Sequence, residues 1–183
     1  NKNIREDRLR AYLRLSGYSQ KLIDGAVSKL VKAADDMTHG LYDANHEVYS
    51  LLKYGAKVKE TGDGAPKTVY FMDVETPTNN DFAIAEEVTV VGRQEKRPDL
   101  VIYVNGIAMA VIELKKSSVS VSNGIRQNLT NQKDGFIAPF FTTMQFCMAG
   151  NETEGLRYGT ILTGEKYYME WKPDGFHENE DER

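Results

Sequence analysis

The sequence predicts an α/β fold in which a mixed central β-sheet is flanked by helices and preceded by an N-terminal helical segment. Three observations support this prediction. Helical periodicity occupies the first 54 residues, strand-like runs separated by turn residues follow, and one more helical pattern interrupts the strands after residue 121. The continuous apolar runs at 100–104 and 107–112 are expected in the middle of the sheet, covered on both faces.

The N-terminal segment is predicted to contain three helices. The first covers about 7–15 and stops at a Ser-Gly pair. Ser19 is placed to cap the second, whose apolar residues recur at helical spacing. The third covers about 43–54 and ends at Gly55, a residue typical of helix C-termini.

Strand patterns occupy most of the remaining chain. They are predicted at 56–59, 68–74, 82–91, 100–104, 107–114, 143–148 and 159–162, with a helix from a Ser122 cap through Asn131 between the fifth and sixth. We therefore divide the chain into a helical segment at 1–54, a core at 55–172 and an acidic linker at 173–183, with the first two in one domain.

Length and cysteine content narrow the class of protein. A chain of 183 residues suits one domain with a substantial core. Its first residue is Asn1 rather than Met, so we expect a piece of a longer protein. The single cysteine, Cys147, excludes an internal disulfide and lies among apolar neighbours, which favours a buried structural thiol. No run has the length needed to span a bilayer, so we expect no membrane association.

The net charge of −4 is unevenly distributed. The stretch 174–183 carries that whole excess of negative charge, so the rest of the chain is neutral. Within the rest, the stretch 93–133 holds seven basic residues against three acids. A local basic surface of this kind suits a phosphate backbone, although an ordinary solvated surface of mixed charge is the alternative.

Two short motifs indicate phosphodiester chemistry. Arg97-Pro98-Asp99 opens one apolar run, and Glu113-Leu114-Lys115 ends the next. Residues two apart on a strand share a face, so Glu113 and Lys115 should point together while the Leu114 side chain enters the core. Asp99, Glu113 and the Leu114 carbonyl then form a hard-oxygen Mg²⁺ site, and Lys115 can orient or activate water. The alternative is that Glu113 and Lys115 mark where a core strand emerges into solvent.

The turn between the runs decides whether the two acids meet. A two-residue turn at Asn105-Gly106, regularly paired, places Asp99 opposite Ile112 and separates it from Glu113. A three-residue turn with a glycine bulge places all the charged groups on one face. We therefore predict the three-residue turn, or a comparable irregularity at Asp99.

An ordered series of motifs resembles the N-terminal nuclease region of the R (HsdR) subunits of type I restriction–modification enzymes. The series consists of Asn80-Asp81-Phe82, Arg97-Pro98-Asp99, Asn105-Gly106 and Glu113-Leu114-Lys115, with weaker similarity on both sides. The resemblance implies a restriction-endonuclease-like PD-(D/E)xK core. It also implies that Asp99 and Glu113 bind the metal and that Lys115 is catalytic.

The family's next element is a helix bearing Q-x-x-x-Y. Gln127 matches the glutamine and is carried over as a catalytic residue, whereas Asn131 stands at the tyrosine position and departs from the pattern. Related nucleases often add an upstream helical acid, for which Glu6 and Glu47 both remain open. A solvated helical glutamate is the alternative for each.

The resemblance also implies partners and cofactors. These are Mg²⁺, for which Mn²⁺ can substitute, double-stranded DNA, the methylation (M) and specificity (S) subunits, and the subunit's own ATP-dependent translocase domains. ATP is expected only in those domains, because no G-x-x-x-x-G-K-[ST] loop is present here. Lys116, Arg126 and Lys133 are expected to contact DNA phosphates without reading sequence. The expected location is the prokaryotic cytoplasm.

Two other functions stay open. The same fold can serve as a non-catalytic docking module of the complex, or as a RecB-like repair nuclease. The aromatic residues near the C-terminus, Tyr167-Tyr168 and Trp171, are expected in core or domain-interface packing rather than in base stacking.

Overall fold

The structure is a computed structural model that describes residues 3–60 and 64–172. Three helices come first: α1 (Glu6–Leu15), α2 (Gln20–Asp35) and α3 (Leu41–Tyr54). The strands follow as β1 (Ala56–Val58), β2 (Lys67–Val69), β3 (Phe82–Glu86), β4 (Val90–Val91), β5 (Glu95–Lys96), β6 (Leu100–Val104) and β7 (Ile107–Leu114). Helix α4 (Val121–Asn131) precedes β8 (Phe146–Asn151), β9 (Gly155–Gly159) and β10 (Met169–Glu170). Short 3₁₀ helices lie at Pro77–Asn79, Ala138–Thr143 and Glu165–Tyr167.

The three N-terminal helices confirm the sequence prediction. The Ser19 hydroxyl accepts a hydrogen bond from the Leu22 amide at the start of α2, as expected of a cap. Gly55 ends α3 with a positive φ of 74°. The buried stripes of α1 and α2, which include Leu9, Leu13 and Ile23, pack into one core with β1 and β2.

The central sheet is mixed, as predicted. Its six strands lie in the order β10-β9-β8-β7-β6-β3. β7 and β8 are parallel, and the other neighbours are antiparallel. A parallel pair needs a crossover connection, and α4 supplies it between β7 and β8. The chain therefore has the α/β architecture with helices flanking a mixed sheet.

Several predicted strand boundaries are wrong. The predicted strand at 82–91 divides, because Glu87 adopts a positive φ of 48° between β3 and β4. The strand predicted at 68–74 ends at Val69, since the Asn80 side chain accepts from the Asp73 amide and holds a turn there. The last strand prediction, 159–162, is shifted, because β9 ends at Gly159 before a turn.

The central strands are fully covered on one face and only partly covered on the other, which corrects the expectation of burial on both. Val101, Tyr103 and Val111 are buried against the 3₁₀ segment Ala138–Thr143 and its neighbours. We call this the helix face of the sheet. The opposite side of the sheet, where the half-buried β6 residues Leu100, Ile102 and Val104 lie, we call the open face. The alternation is that of a sheet with one packed side.

Other expectations concern single residues and the termini. Cys147 is buried, and this burial raises the pKa of its thiol to about 12, as suits a structural thiol. Tyr168 packs against the core, as expected. Tyr167 and Trp171 are exposed, so core packing does not hold for these two, and domain-interface packing stays a prediction for them. The linker predicted at 173–183 lies outside the described residues. None of the helices in the described ranges combines the length and apolarity needed to cross a bilayer.

Candidate active site

The hairpin between β6 and β7 has a two-residue turn, so the predicted three-residue turn is wrong. Val104 pairs with Ile107, and both turn residues have positive φ, 51° at Asn105 and 81° at Gly106. A type I′ turn requires this conformation, and Asn-Gly adopts it most readily. The buried Asn105 side chain strengthens the turn by donating to the Phe71 carbonyl and accepting from the Asp81 amide.

A β-bulge in β7 brings the two acids together. Tyr103 pairs with Ala108 but Ile102 pairs with Ala110, so Met109 is the extra residue. An irregularity is therefore present, but it lies at Met109 and not at Asp99, where it was predicted. The bulge shifts the later pairs so that Leu100 faces Ile112. Continuing that register places Asp99 beside Glu113 on the helix face.

Asp99 is fixed by hydrogen bonds at both its backbone and its side chain. Its carbonyl accepts from the Glu87 amide at 2.8 Å, where the chain turns after β3. Its Oδ2 accepts from the Leu114 amide at 2.7 Å, which ties the carboxylate to the end of β7. The two oxygens of that carboxylate are not equivalent, because only Oδ2 is held by a main-chain amide.

Glu113, Lys115 and Gln127 form a connected polar cluster next to Asp99. The fully buried Glu113 accepts at Oε2 from Gln127 Nε2 at 2.6 Å. Lys115 Nζ donates to Gln127 Oε1 at 2.9 Å and to the Leu114 carbonyl at 3.2 Å, and it lies 3.7 Å from Glu113 Oε2. All four residues that the sequence predicts to be catalytic are thus brought together at the C-terminal end of β7.

The electrostatics of Glu113 suit a cation ligand. Burial, together with the negative charge of Asp99, raises the pKa of Glu113 to about 8, while Lys115 lowers it. Its Oε1 is buried without a hydrogen-bond partner. A buried oxygen of this kind costs free energy unless something compensates it, and a divalent cation would do so. Among the described residues, no three His, Cys, Asp or Glu side chains cluster as a metal site, so any ion here depends on the two carboxylates and main-chain oxygen.

The Leu114 side chain does not enter the core, contrary to expectation. It is 49% exposed on the open face. The physical reason is the one-sided packing of the sheet, because residues adjacent to a helix-face position must point to the open face. Its carbonyl still lies beside Lys115, as the Lys115 Nζ hydrogen bond indicates.

Helix α4 is positioned by residues that sequence reasoning did not select. Ser120, rather than Ser122, is its N-cap. Glu154, from the turn between β8 and β9, accepts from the Val121 amide at 2.9 Å. Gly124 lets the helix approach β8 and β7, since a Cβ there would lie 2.9 Å from the Ala149 Cβ and 3.3 Å from the Glu113 carbonyl oxygen. A glycine inside a predicted helix was the available signal, whereas nothing local identifies Glu154.

Comparison with known proteins identifies the family. The model of the type I restriction enzyme R protein N terminus matches residues 1–166. This chain belongs to that family.

Similar curated proteins agree with this membership. The type I restriction enzyme HindI endonuclease subunit of Haemophilus influenzae is 33% identical over 83% of this chain and 15% of its own length. The putative type I restriction enzyme MjaIXP endonuclease subunit of Methanocaldococcus jannaschii is 28% identical over 68% of this chain and 12% of its own length. The type I restriction enzyme EcoprrI endonuclease subunit of Escherichia coli is 24% identical over 84% of this chain and 45% of its own length. The chain thus spans less than half the length of each of these relatives.

The remaining family-derived residues lie outside the polar cluster. Asn131 is buried one helical turn beyond Gln127, and its carbonyl accepts from the Ile137 amide. Glu6 forms an ion pair with Arg10 within α1, and Glu47 is exposed on α3. The contacts described for Asp99 and Glu113 include neither glutamate.

The basic residues predicted to contact DNA are all exposed but differ in their surroundings. Lys116 directly follows Lys115, and Lys133 lies just after α4. Arg126 makes a bidentate ion pair with Glu165, at 2.7 and 2.9 Å. A phosphate would have to displace that carboxylate to use both guanidinium donors.

Replacing Gly124 by alanine is expected to loosen the cluster from a distance. The added methyl group meets the Ala149 Cβ and the backbone of β7, which cannot rotate away, so α4 must move outward. We expect the free energy of unfolding to fall by about 1–3 kcal/mol in urea denaturation, although alanine is intrinsically the better helix former. The matched control is Asn123→Ala at an exposed position of the same helix, which should not destabilise. Equal stability of both variants would contradict the close approach.

Proposed function

We propose that this chain is the nuclease domain of a type I restriction enzyme R subunit and hydrolyses phosphodiester bonds in double-stranded DNA with Mg²⁺. The observation that carries the proposal is that Asp99, Glu113, Lys115 and Gln127 meet at the C-terminal end of β7. Within this cluster, Glu113 Oε1 is buried and has no hydrogen-bond partner. Two acids, a lysine and an amide in hydrogen-bond contact are the groups that metal-assisted phosphodiester hydrolysis uses.

Each protein oxygen has a distinct role in this proposal. Asp99 would bind the ion through Oδ1, because Oδ2 accepts from the Leu114 amide. Glu113 would bind it through Oε1, because Oε2 accepts from Gln127. The Leu114 carbonyl would be the third protein ligand. When bound, Mg²⁺ supplies Lewis acidity at the scissile phosphate and lowers the pKa of water.

Lys115 positions the nucleophile and balances charge. Its ammonium is held by the Gln127 amide oxygen and the Leu114 carbonyl, which leaves one of its three N–H groups to orient a water or a phosphate oxygen. Gln127 is a positioning residue, since it donates to Glu113 and accepts from Lys115 at once. Through Gln127, helix α4 therefore links the positions of the Glu113 and Lys115 side chains.

DNA would be held through its phosphates. Lys116, next to Lys115 in the chain, and Lys133, just after α4, offer exposed ammonium groups, and Arg126 could join them by exchanging Glu165 for a phosphate. Contacts of this kind carry no sequence information, so cleavage is sequence-independent. Target recognition then falls to the M and S subunits and ATP hydrolysis to the translocase domains of the full-length subunit, within the cytoplasm of a prokaryote.

Calorimetric titration with Mn²⁺ tests the metal site directly. We expect one saturable site at pH 8, weaker binding at pH 6, where a proton must leave Glu113, and loss of binding in Asp99→Asn. Asp134→Asn, at an exposed carboxylate beyond α4, is the control and should bind as the wild type does. Absence of saturable binding in the wild type would instead favour the non-catalytic docking module.

A further inference from the structure

The open face of the sheet carries an apolar surface that crosses all six strands. Its members are placed by the strand register, since paired residues share a face. They are Phe82, Ile84 and Glu86 of β3, Leu100, Ile102 and Val104 of β6, Ala110, Ile112 and Leu114 of β7, Phe146, Met148 and Gly150 of β8, Leu156 and Tyr158 of β9, and Met169 of β10. Trp171 continues the series, because its amide donates to the Leu156 carbonyl.

This surface has the composition of a protein interior, but apart from the buried Ala110, Met148 and Gly150 its side chains are partly or largely in contact with solvent. Glu86 is the one charged residue among the strand positions just named. Six of the side chains, those of residues 82, 84, 114, 146, 169 and 171, are 40–69% exposed. Contiguous apolar patches of this extent are rare on isolated domains and mark surfaces that another protein surface covers.

The C-terminal end of the described residues lies on this surface. Trp171 packs edge-on against Tyr158 and Phe146, with ring centroids 5.5 and 6.4 Å apart. Polypeptide that follows residue 172 therefore starts at the border of the open face, where tethering gives it a high effective concentration. The matched segment makes up only 12 and 15% of two relatives, which leaves ample chain to form such a region.

We propose that in the full-length protein the open face is the docking surface for the folded region that follows the predicted acidic linker at 173–183. The near-absence of charge suits a permanent apolar interface and disfavours DNA, which requires basic side chains. The proposal does not depend on the nuclease activity. It does involve the same strand, because Leu114 lies on the open face between Glu113 and Lys115 of the candidate site.

Hydroxyl-radical footprinting of the full-length subunit tests the proposal. We expect Phe82, Met169 and Trp171, after correction for intrinsic reactivity, to react more than about fivefold more slowly than Tyr42 and Tyr54, which are exposed on α3. Reaction of all five at similar corrected rates would overturn the proposal. So would protection confined to Met169 and Trp171, or protection that disappears on dilution and hence comes from a second copy.

A variant pair adds an independent readout. Ile84→Arg places a charge at the most exposed position of the face, where the domain itself loses no core contact. We expect it to bring the reactivity of Phe82 and Met169 close to that of exposed residues, while the buried Phe141 stays protected and reports an intact fold. Leu15→Arg, at an exposed apolar position of α1, is the control and should leave the footprint unchanged. A footprint unaffected by Ile84→Arg would contradict docking at this face.

Discussion

Replacing Lys115 by methionine should reduce DNA cleavage by the full-length enzyme at least about 100-fold. Methionine keeps the length and the apolar stem of lysine but removes the ammonium that lies 2.9 Å from Gln127 Oε1 and 3.2 Å from the Leu114 carbonyl. Asp99 and Glu113 stay in place, so a water near the metal loses its orienting group while the ion keeps its ligands. The measurement is single-turnover cleavage by the complex assembled from full-length subunits.

The same variant separates a catalytic role from a metal-binding role. Mn²⁺ should still bind, but the pH at which binding reaches half its maximum should rise, because Lys115 no longer lowers the pKa of Glu113. Lys21→Met, at an exposed position of α2, is the control and should cleave normally. If Lys115→Met cleaved at the wild-type rate, the proposed role of this lysine would be wrong.

The sequence predicted the elements of this fold better than the contacts between them. Helical periodicity located α2, and the run 100–104 coincides with β6, because amphipathic spacing and apolar runs are local signals. The register of β6 and β7 depends on the bulge at Met109. Its neighbours, Ala108 and Ala110, form a uniform apolar stretch with no local sign of an extra residue.

The meeting of Asp99 and Glu113 was predicted correctly, but from an incorrect turn. A shared face for Asp99 and Glu113 is what a three-residue turn predicts. The protein obtains it from a two-residue turn followed by the Met109 bulge. The side of the sheet that stays open was not predictable either, because an apolar run such as 107–112 has the same composition whether its second face meets a helix or a separate folded region.

Replacing Glu113 by glutamine should stabilise the metal-free protein at pH 8 relative to the wild type. The wild-type carboxyl is fully buried, and its pKa in the folded state is raised to about 8 from an ordinary value near 4.5. Between these two values the unfolded chain ionises Glu113 while the folded protein keeps the proton. The free energy of unfolding therefore falls as pH rises through this window, with a slope of up to about 1.4 kcal/mol per pH unit, and levels off above it.

Urea denaturation in EDTA at pH 5, 6.5 and 8 measures this effect. Glutamine cannot ionise, so Glu113→Gln should lack this part of the pH dependence, and the two stability curves should diverge by several kcal/mol towards pH 8. Glu152→Gln, at an exposed glutamate, should follow the wild-type curve. Added Mg²⁺ should restore stability to the wild type at pH 8, because an ion that binds only the folded state stabilises it, and should not affect Glu113→Gln. Parallel curves for wild type and Glu113→Gln would mean that Glu113 is ionised in the folded protein without a metal, and would remove the electrostatic argument for a cation at its Oε1.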